Sequence, residues 1–212
     1  MTRGRFIAFE GGEGMGKSTQ ARLLADWLQR DGVTVELTRE PGGTPGAETI
    51  RNLLLSPPGE GWTPEAEALL FAAARADHVA RRIRPALEAG SWVVCDRFID
   101  SSRAYQAIAG GLGDDKVSQL HRIGSAGLLP DLTLLIDAPN DAVAARLAKR
   151  DGDTSDAIGG RAADYHAAVN AAFRDFAHAE PGRFAVIDGS GSIEEVHQQV
   201  VAAISQRFEV TA

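Results

Sequence analysis

FIAFEGGEGMGKST, residues 6–19, decides the fold. Its second half fits the pattern G-x-x-x-x-G-K-[ST] from Gly11 to Ser18, between a short apolar run and a stretch of helical periodicity. Glycines let a backbone wrap close to phosphate groups. The exposed N–H groups and the N-terminus of the following helix supply partial positive charge there. The spacing lets Lys17 reach the β- and γ-phosphates of a nucleoside triphosphate and lets the Ser18 hydroxyl ligate Mg²⁺. Gly11, Gly12, Glu13, Gly14, Met15, Gly16, Lys17, Ser18 and Thr19 are therefore the expected triphosphate-binding residues. The variable positions 12–15 hold no arginine, so a cation to meet the charge of a transferring phosphoryl group has to come from elsewhere in the chain.

Outward from this loop, short apolar runs alternate with amphipathic segments. Strands are expected at Arg5–Glu10, Val33–Thr38, Trp92–Asp96, Leu132–Asp137 and Phe184–Asp188, because each run is short, rich in branched or aromatic residues, and followed by turn or polar residues. Their continuous hydrophobicity implies strands covered on both faces, as in a parallel sheet. Helices are expected at 16–30, near 115–126, 140–150, 162–178 and 192–207, and from the Thr63-Pro64 cap to about Arg84, where Pro85 should bend or interrupt the chain. The alternation predicts an α/β fold, a P-loop NTPase-type doubly wound sheet flanked by helices, in a single domain over 1–212. Two irregular stretches interrupt it. SPPGEGWTP (56–64) reads as a surface loop, and the Gly-rich DGDTSDAIGG (151–160) as part of a lid at about 146–161.

The 212 residues carry a net charge of −7, which argues against a nucleic-acid polymer as partner, since phosphate backbones attract basic surfaces. Small anionic substrates respond instead to local arginines. The single cysteine, Cys95, sits in the apolar run WVVC and is expected in the core. The N-terminal apolar segment is too short for a signal peptide and no run has membrane-spanning length, so a cytoplasmic location with no membrane partner is expected.

Asp96 ends the run WVVCD. A carboxylate at the C-terminal edge of a parallel strand can help hold Mg²⁺, directly or through water. Asp137 and Asp188 also follow apolar runs, and the arginine adjoining Asp96 favours the first of the three. The guanine-reading N-K-x-D of GTPases is absent, and D-x-x-G at Asp188 comes too late in the chain for a switch loop. Arginines recur at the ends of several segments, as at Arg39, Arg51, Arg75, Arg97 and Arg103. A site that brings together a phosphate donor and a phosphorylated acceptor needs that distribution.

Several segments together resemble thymidylate kinases, which phosphorylate dTMP to dTDP with ATP: FEGGEGMGKST (9–19), TREPGGT (38–44), LLFAAARADH (69–78), DRFIDSSRAYQ (96–106) and PDLTLLID (130–137). The resemblance implies a P-loop kinase of about five parallel strands, usually a homodimer, that uses Mg²⁺. On the acceptor side it implies Glu10 beside the sugar and phosphate, Arg39 and Arg51 near the acceptor, and Arg97 gripping the dTMP phosphate. Pro41, in the E-P-G-G turn, is a candidate for a cis peptide bond. Phe71 would stack on thymine while Arg75, four residues on along the same helix face, donates to its O4. Tyr105 would crowd the 2′ position of the sugar, and Ser102 and Gln106 would line the base pocket. The adenine of ATP would meet the turn at Asp188–Ser192.

The P-loop without arginine resembles the branch of the family whose lid supplies the cation. Arg150 is the first choice here, with Arg146, Lys149 and Arg161 as the others, so Lys17, Arg97 and Arg150 form the expected catalytic set. The chain departs from the family pattern in two places. Ser155-Asp156-Ala157 stands where a lid Asp-Arg pair is common, and AIAGGLG (107–113) where many relatives carry G-R-G. Two alternatives remain at this point: another deoxynucleoside or nucleoside-monophosphate kinase, and an ATP-binding regulator without turnover.

Overall fold

The computed structural model describes residues 3–139 and 157–208. The phosphate-loop strand lies at the centre of the sheet. Strands β1 (Phe6–Glu10), β2 (Val35–Arg39), β3 (Trp92–Asp96), β4 (Leu132–Asp137) and β5 (Phe184–Asp188) are all parallel, in the order β2-β3-β1-β4-β5. Every residue of β1 is buried, as a strand covered on both faces must be. Ile7 and Phe9 point into a core shared with Leu24, Leu28, Val200 and Ile204, whereas Phe6 and Ala8 point into one shared with Val79, Ile83, Val93 and Phe98.

Those two cores correspond to two helical layers. Helices α1 (Lys17–Arg30) and α8 (Ile193–Phe208) cover one face. The other is covered by α3 (Pro64–His78), α4 (Arg84–Glu88) and α6 (Asp114–Ser125), while α7 (Ala163–Ala179) packs on the segment after α5 (Ile99–Ser102). Helix α2 (Pro45–Leu55) lies against α3. Cys95 is fully buried and burial pushes its thiol pKa up, so it packs as a core residue.

The helix expected to run to about Arg84 and to be bent or interrupted at Pro85 is interrupted just before it and resumes as α4. Between α3 and α4 the backbone widens into a π-helical turn at Val79–Ile83. Proline lacks an N–H and crowds the preceding turn, and the widened turn is how the chain carries it without breaking. A second π-helical stretch, Arg103–Ala109, continues α5 and carries Tyr105 and Gln106. Two helices were not anticipated from sequence, α2 and α5. The helix expected at 140–150, and the lid up to residue 156, lie outside the described residues.

Register fixes what stands at the carboxyl edge of the sheet. Asp96 pairs with Phe9 on one side and with Arg39 on the other, so the ends of β1, β2 and β3 are level. The first connection leaves β1 for β2 on one side while β4 lies on the other. Ligands in such sheets bind at the carboxyl edge where the winding reverses.

Candidate active site

At that edge opens a cavity of about 680 Å³, whose lining runs from Gly14–Thr19 of the phosphate loop to Phe71 and Arg75 of α3. The loop bends through three glycines with positive φ: Gly11 at 137°, Gly14 at 70° and Gly16 at 89°. A side chain at Gly11 would place its Cβ 2.4 Å from the Ile136 carbonyl oxygen of β4, so the loop hugs the sheet. Lys17 is buried at the N-terminus of α1 and donates to the Gly12 carbonyl at 2.5 Å. Burial, helped by the charge of Arg97, pushes its pKa down to about 8. An arriving anion relieves that penalty and draws the ammonium toward itself.

The Ser18 hydroxyl donates to Asp96 Oδ2, while the buried Asp96 Oδ1 has no hydrogen-bond partner among the described residues. A hydroxyl and a half-satisfied carboxylate side by side are hard oxygen donors suited to Mg²⁺, which takes one or two carboxylates and completes its shell with water and substrate phosphates. No group of three or more His, Cys, Asp or Glu able to hold a metal occurs among the described residues.

Arg97 joins the two halves of the cavity. It sits at φ 68°, an uncommon angle for a residue with a side chain, and its N–H is held by the Phe9 carbonyl at 2.9 Å. That turn swings the guanidinium across the phosphate loop. It donates to the Gly11 carbonyl at 3.2 Å and Glu13 Oε1 at 2.7 Å on one side, and to Ser101 Oγ at 3.0 Å and Tyr105 Oη at 3.3 Å on the other. It also lies 5.1 Å from the centre of the Tyr105 ring.

The far end of the cavity is built by α3. Arg75 is buried and donates from Nε to Glu40 at 2.7 Å and from Nη2 to the Phe98 carbonyl at 3.2 Å and Ser102 Oγ at 2.9 Å. Its Nη1 has no hydrogen-bond partner among the described residues. The other Glu40 oxygen meets His78 Nδ1 at 3.1 Å, and the far ring nitrogen of His78 meets Thr38 Oγ1 at 2.7 Å. Arg39 Nη2 donates to both carboxylate oxygens of Glu48, at 3.0 and 3.1 Å, and Arg51 donates to the Pro41 carbonyl at 2.8 Å. The Glu40-Pro41 bond is cis.

Most residues singled out from sequence converge here: Arg39, Pro41, Arg51, Phe71, Arg75, Arg97, Ser102, Tyr105 and Gln106 share the cavity with residues 13–19 of the loop. Gly11 and Gly12 shape the loop from behind. Glu10 is turned inward: its Oε1 accepts from the backbone N–H of Phe98 at 2.8 Å and of Ser101 at 3.0 Å, and its Oε2 from Ser101 Oγ at 2.6 Å. It therefore holds the start of α5 beneath Arg97 and does not line the cavity. Gly191 of the Asp188–Ser192 turn reaches the cavity wall.

Of the lid cations, Arg146, Lys149 and Arg150 lie outside the described residues. Arg161 is paired with Glu67 of α3 and donates to the Tyr165 hydroxyl at 2.5 Å. Ala157 bonds through its N–H to the Leu55 carbonyl at 3.3 Å, and Ile158 lines the cavity. Glu40, Glu67 and His78 were not assigned roles from sequence. Glu67 had a signal, since 67, 71 and 75 fall on one helix face; Glu40 and His78 had none short of the sheet register.

Comparison with known proteins gives one answer. The family model described as thymidylate kinase matches residues 9–200. The thymidylate kinase of Rhizorhabdus wittichii is 55% identical over 95% of this chain and 97% of that protein. That of Symbiobacterium thermophilum is 49% identical over 92% of this chain and 90% of that protein. Among solved structures, the crystal structure of thymidylate kinase from Ehrlichia chaffeensis superposes with a TM-score of 0.78 at 34% identity, covering 95% of this chain and 99% of that one.

Proposed function

The chain belongs to the thymidylate kinase family, and from that premise we propose how its cavity works as an ATP-dependent kinase that phosphorylates dTMP to dTDP. One observation carries the reading: a single cavity joins the phosphate loop to Phe71 and Arg75, with Arg97 bonded to both halves. Donor and acceptor phosphates brought together there repel one another, and the guanidinium of Arg97 and the ammonium of Lys17 offset that repulsion. The acceptor phosphate is already an anion, so no side chain has to become a nucleophile. The barrier falls through positioning and charge neutralisation.

Gly11–Thr19 would cradle the ATP phosphates, and Ser18 with Asp96 would hold the Mg²⁺ that neutralises them. Arg97 would grip the phosphate of dTMP in a two-pronged contact that lysine cannot make. Arg39 and Arg51 flank it. Phe71 would stack on the base and Arg75, fixed through Nε and Nη2, would donate to a carbonyl at the 4-position, where cytosine carries an amino group and is disfavoured. Tyr105 would close the space at the sugar 2′ position. Arg150 remains the proposed lid cation, because Arg161 is held at the base end by Glu67. Such a cation is worth about 10³–10⁵ in related phosphoryl transfers.

Assembly as a homodimer fits the exposure of Leu69 on α3 (55%) and Ile123 on α6 (76%), since those helices pack together. No helix among the described residues is long and apolar enough to cross a membrane, and a cytoplasmic location remains part of the proposal. The test is ADP release with ATP and Mg²⁺ against dTMP, dUMP, dCMP, UMP and thymidine in parallel. A clear preference for dTMP is expected. Preference for dCMP or UMP would favour a different monophosphate kinase, and ATP binding without turnover on any acceptor would favour a regulator.

A further inference from the structure

Glu67 is 8% exposed and lies one helical turn before Phe71 on the face of α3 that meets the cavity. Its carboxylate is divided between two partners. Oε1 accepts from Gln106 Nε2 at 2.8 Å, and Oε2 accepts from the guanidinium of Arg161. Arg161 is in turn braced by Tyr165, whose hydroxyl donates to the Tyr105 carbonyl at 2.7 Å. The three side chains Glu67, Arg161 and Tyr165 therefore frame the π-helical segment that carries Tyr105 and Gln106.

This arrangement sets the sense of an amide. A glutamine side chain has one donating end and one accepting end, and nothing intrinsic decides which end faces which neighbour. A carboxylate ion-paired with arginine only accepts. The nitrogen of Gln106 must therefore turn to Glu67, and since Gln106 lines the cavity, its carbonyl oxygen is the end that an acceptor base meets. We propose that Glu67 is a positioning residue for acceptor selection: by holding the Gln106 amide nitrogen it makes Gln106 present a hydrogen-bond acceptor to the base. A base with an N–H at its 3-position, such as thymine or uracil, satisfies that oxygen. Cytosine offers a lone pair at the same position and leaves two acceptors facing each other in a buried site, a mismatch that costs at least about tenfold in kcat/KM. The proposal rests on the reading of the cavity as a dTMP site. It adds a second discrimination against cytosine that is separate from Arg75.

The experiment measures kcat/KM for dTMP, dUMP and dCMP in the full chain and in Glu67→Gln, Gln106→Met and the double variant, each checked for folding by circular dichroism. A glutamine at 67 can both donate and accept, so the Gln106 amide is free to reverse. The dCMP:dTMP ratio of kcat/KM is expected to rise at least tenfold in Glu67→Gln, with dUMP tracking dTMP. It should rise similarly in Gln106→Met and no further in the double variant. A ratio unchanged within twofold in folded Glu67→Gln, with all three substrates falling together, means a structural role only and overturns the proposal. Additive effects in the double variant overturn it as well. If Glu67→Gln does not fold, Glu67→Asp replaces it: one methylene shorter, it keeps the charge opposite Arg161 but falls short of Gln106, and the same rise is required. Absence of dTMP turnover in the unmodified chain would instead defeat the underlying reading of the site.

Discussion

Glu10 stands at the end of the central strand, and burial, reinforced by the charge of Asp100, raises its carboxyl pKa to about 7 despite the opposing pull of Ser101 and Arg97. The folded value lies above the unfolded value near 4.5, so folding favours the protonated form. That contribution to stability is complete below about pH 4.5 and is lost as pH rises through about 7. Glu10→Gln removes the titration while its amide oxygen can still accept from the Phe98 and Ser101 N–H groups. Between pH 5 and pH 8 the melting temperature of the variant should therefore gain on that of the native chain by roughly 4–8 °C, the equivalent of about 2 kcal/mol in a chain of this size. Thermal scans at the two pH values check this, and a gap that does not change with pH would contradict it. The residue was legible in the sequence as a strand-end carboxylate. Its inward turn was not, because the groups it holds, Phe98 and Ser101, follow a different strand and meet it only once β1 and β3 are in register.

At the scale of elements, what could be read depended on whether the determining contacts were local. Strands β3, β4 and β5 coincide with their apolar runs end to end. The expectation that every strand is covered on both faces holds only for the inner ones: β2 and β5 are the sheet edges, and Val186 of β5 is 60% exposed. Helix α2 has a local signal that apolar periodicity does not reveal: Thr44 caps it, accepting from the Ala47 N–H, and Pro45 opens it, the same device as Thr63-Pro64 before α3. Helix α5 has no such signal. It is four residues long, and its first N–H groups are satisfied by Glu10, far away in sequence. The phosphate loop was fully legible because its geometry is carried by glycines in place. Gly11→Ala should test that element directly: with φ at 137° and the new Cβ 2.4 Å from the Ile136 carbonyl oxygen, the loop must lift from β4. Affinity for ATP, measured by titration calorimetry, is expected to fall at least about tenfold, in line with about 1–3 kcal/mol of backbone strain. Unchanged affinity would mean that the cradle does not depend on this close approach.

At the scale of the molecule, the strand order β2-β3-β1-β4-β5 brings distant segments to one edge: the loop after β1, the Asp96-Arg97 turn after β3, the E-P-G-G turn after β2 and the face of α3. The sequence shows these pieces in order, and their resemblance to a family supplies the arrangement. The polar links that lock them, Glu40 to Arg75 and His78, and Glu67 to Gln106 and Arg161, bind residues whose proximity no local pattern encodes. In the function proposed above, these segments together form the site for transfer of a phosphoryl group between two anions held in one cavity. The most direct test tracks the phosphoryl group itself, in a single turnover with ATP labelled at the γ-phosphorus, Mg²⁺ and excess dTMP. The account predicts that the label appears at the β-position of dTDP in step with ADP. Label released as inorganic phosphate, or retained in ATP while both nucleotides are bound, would contradict it.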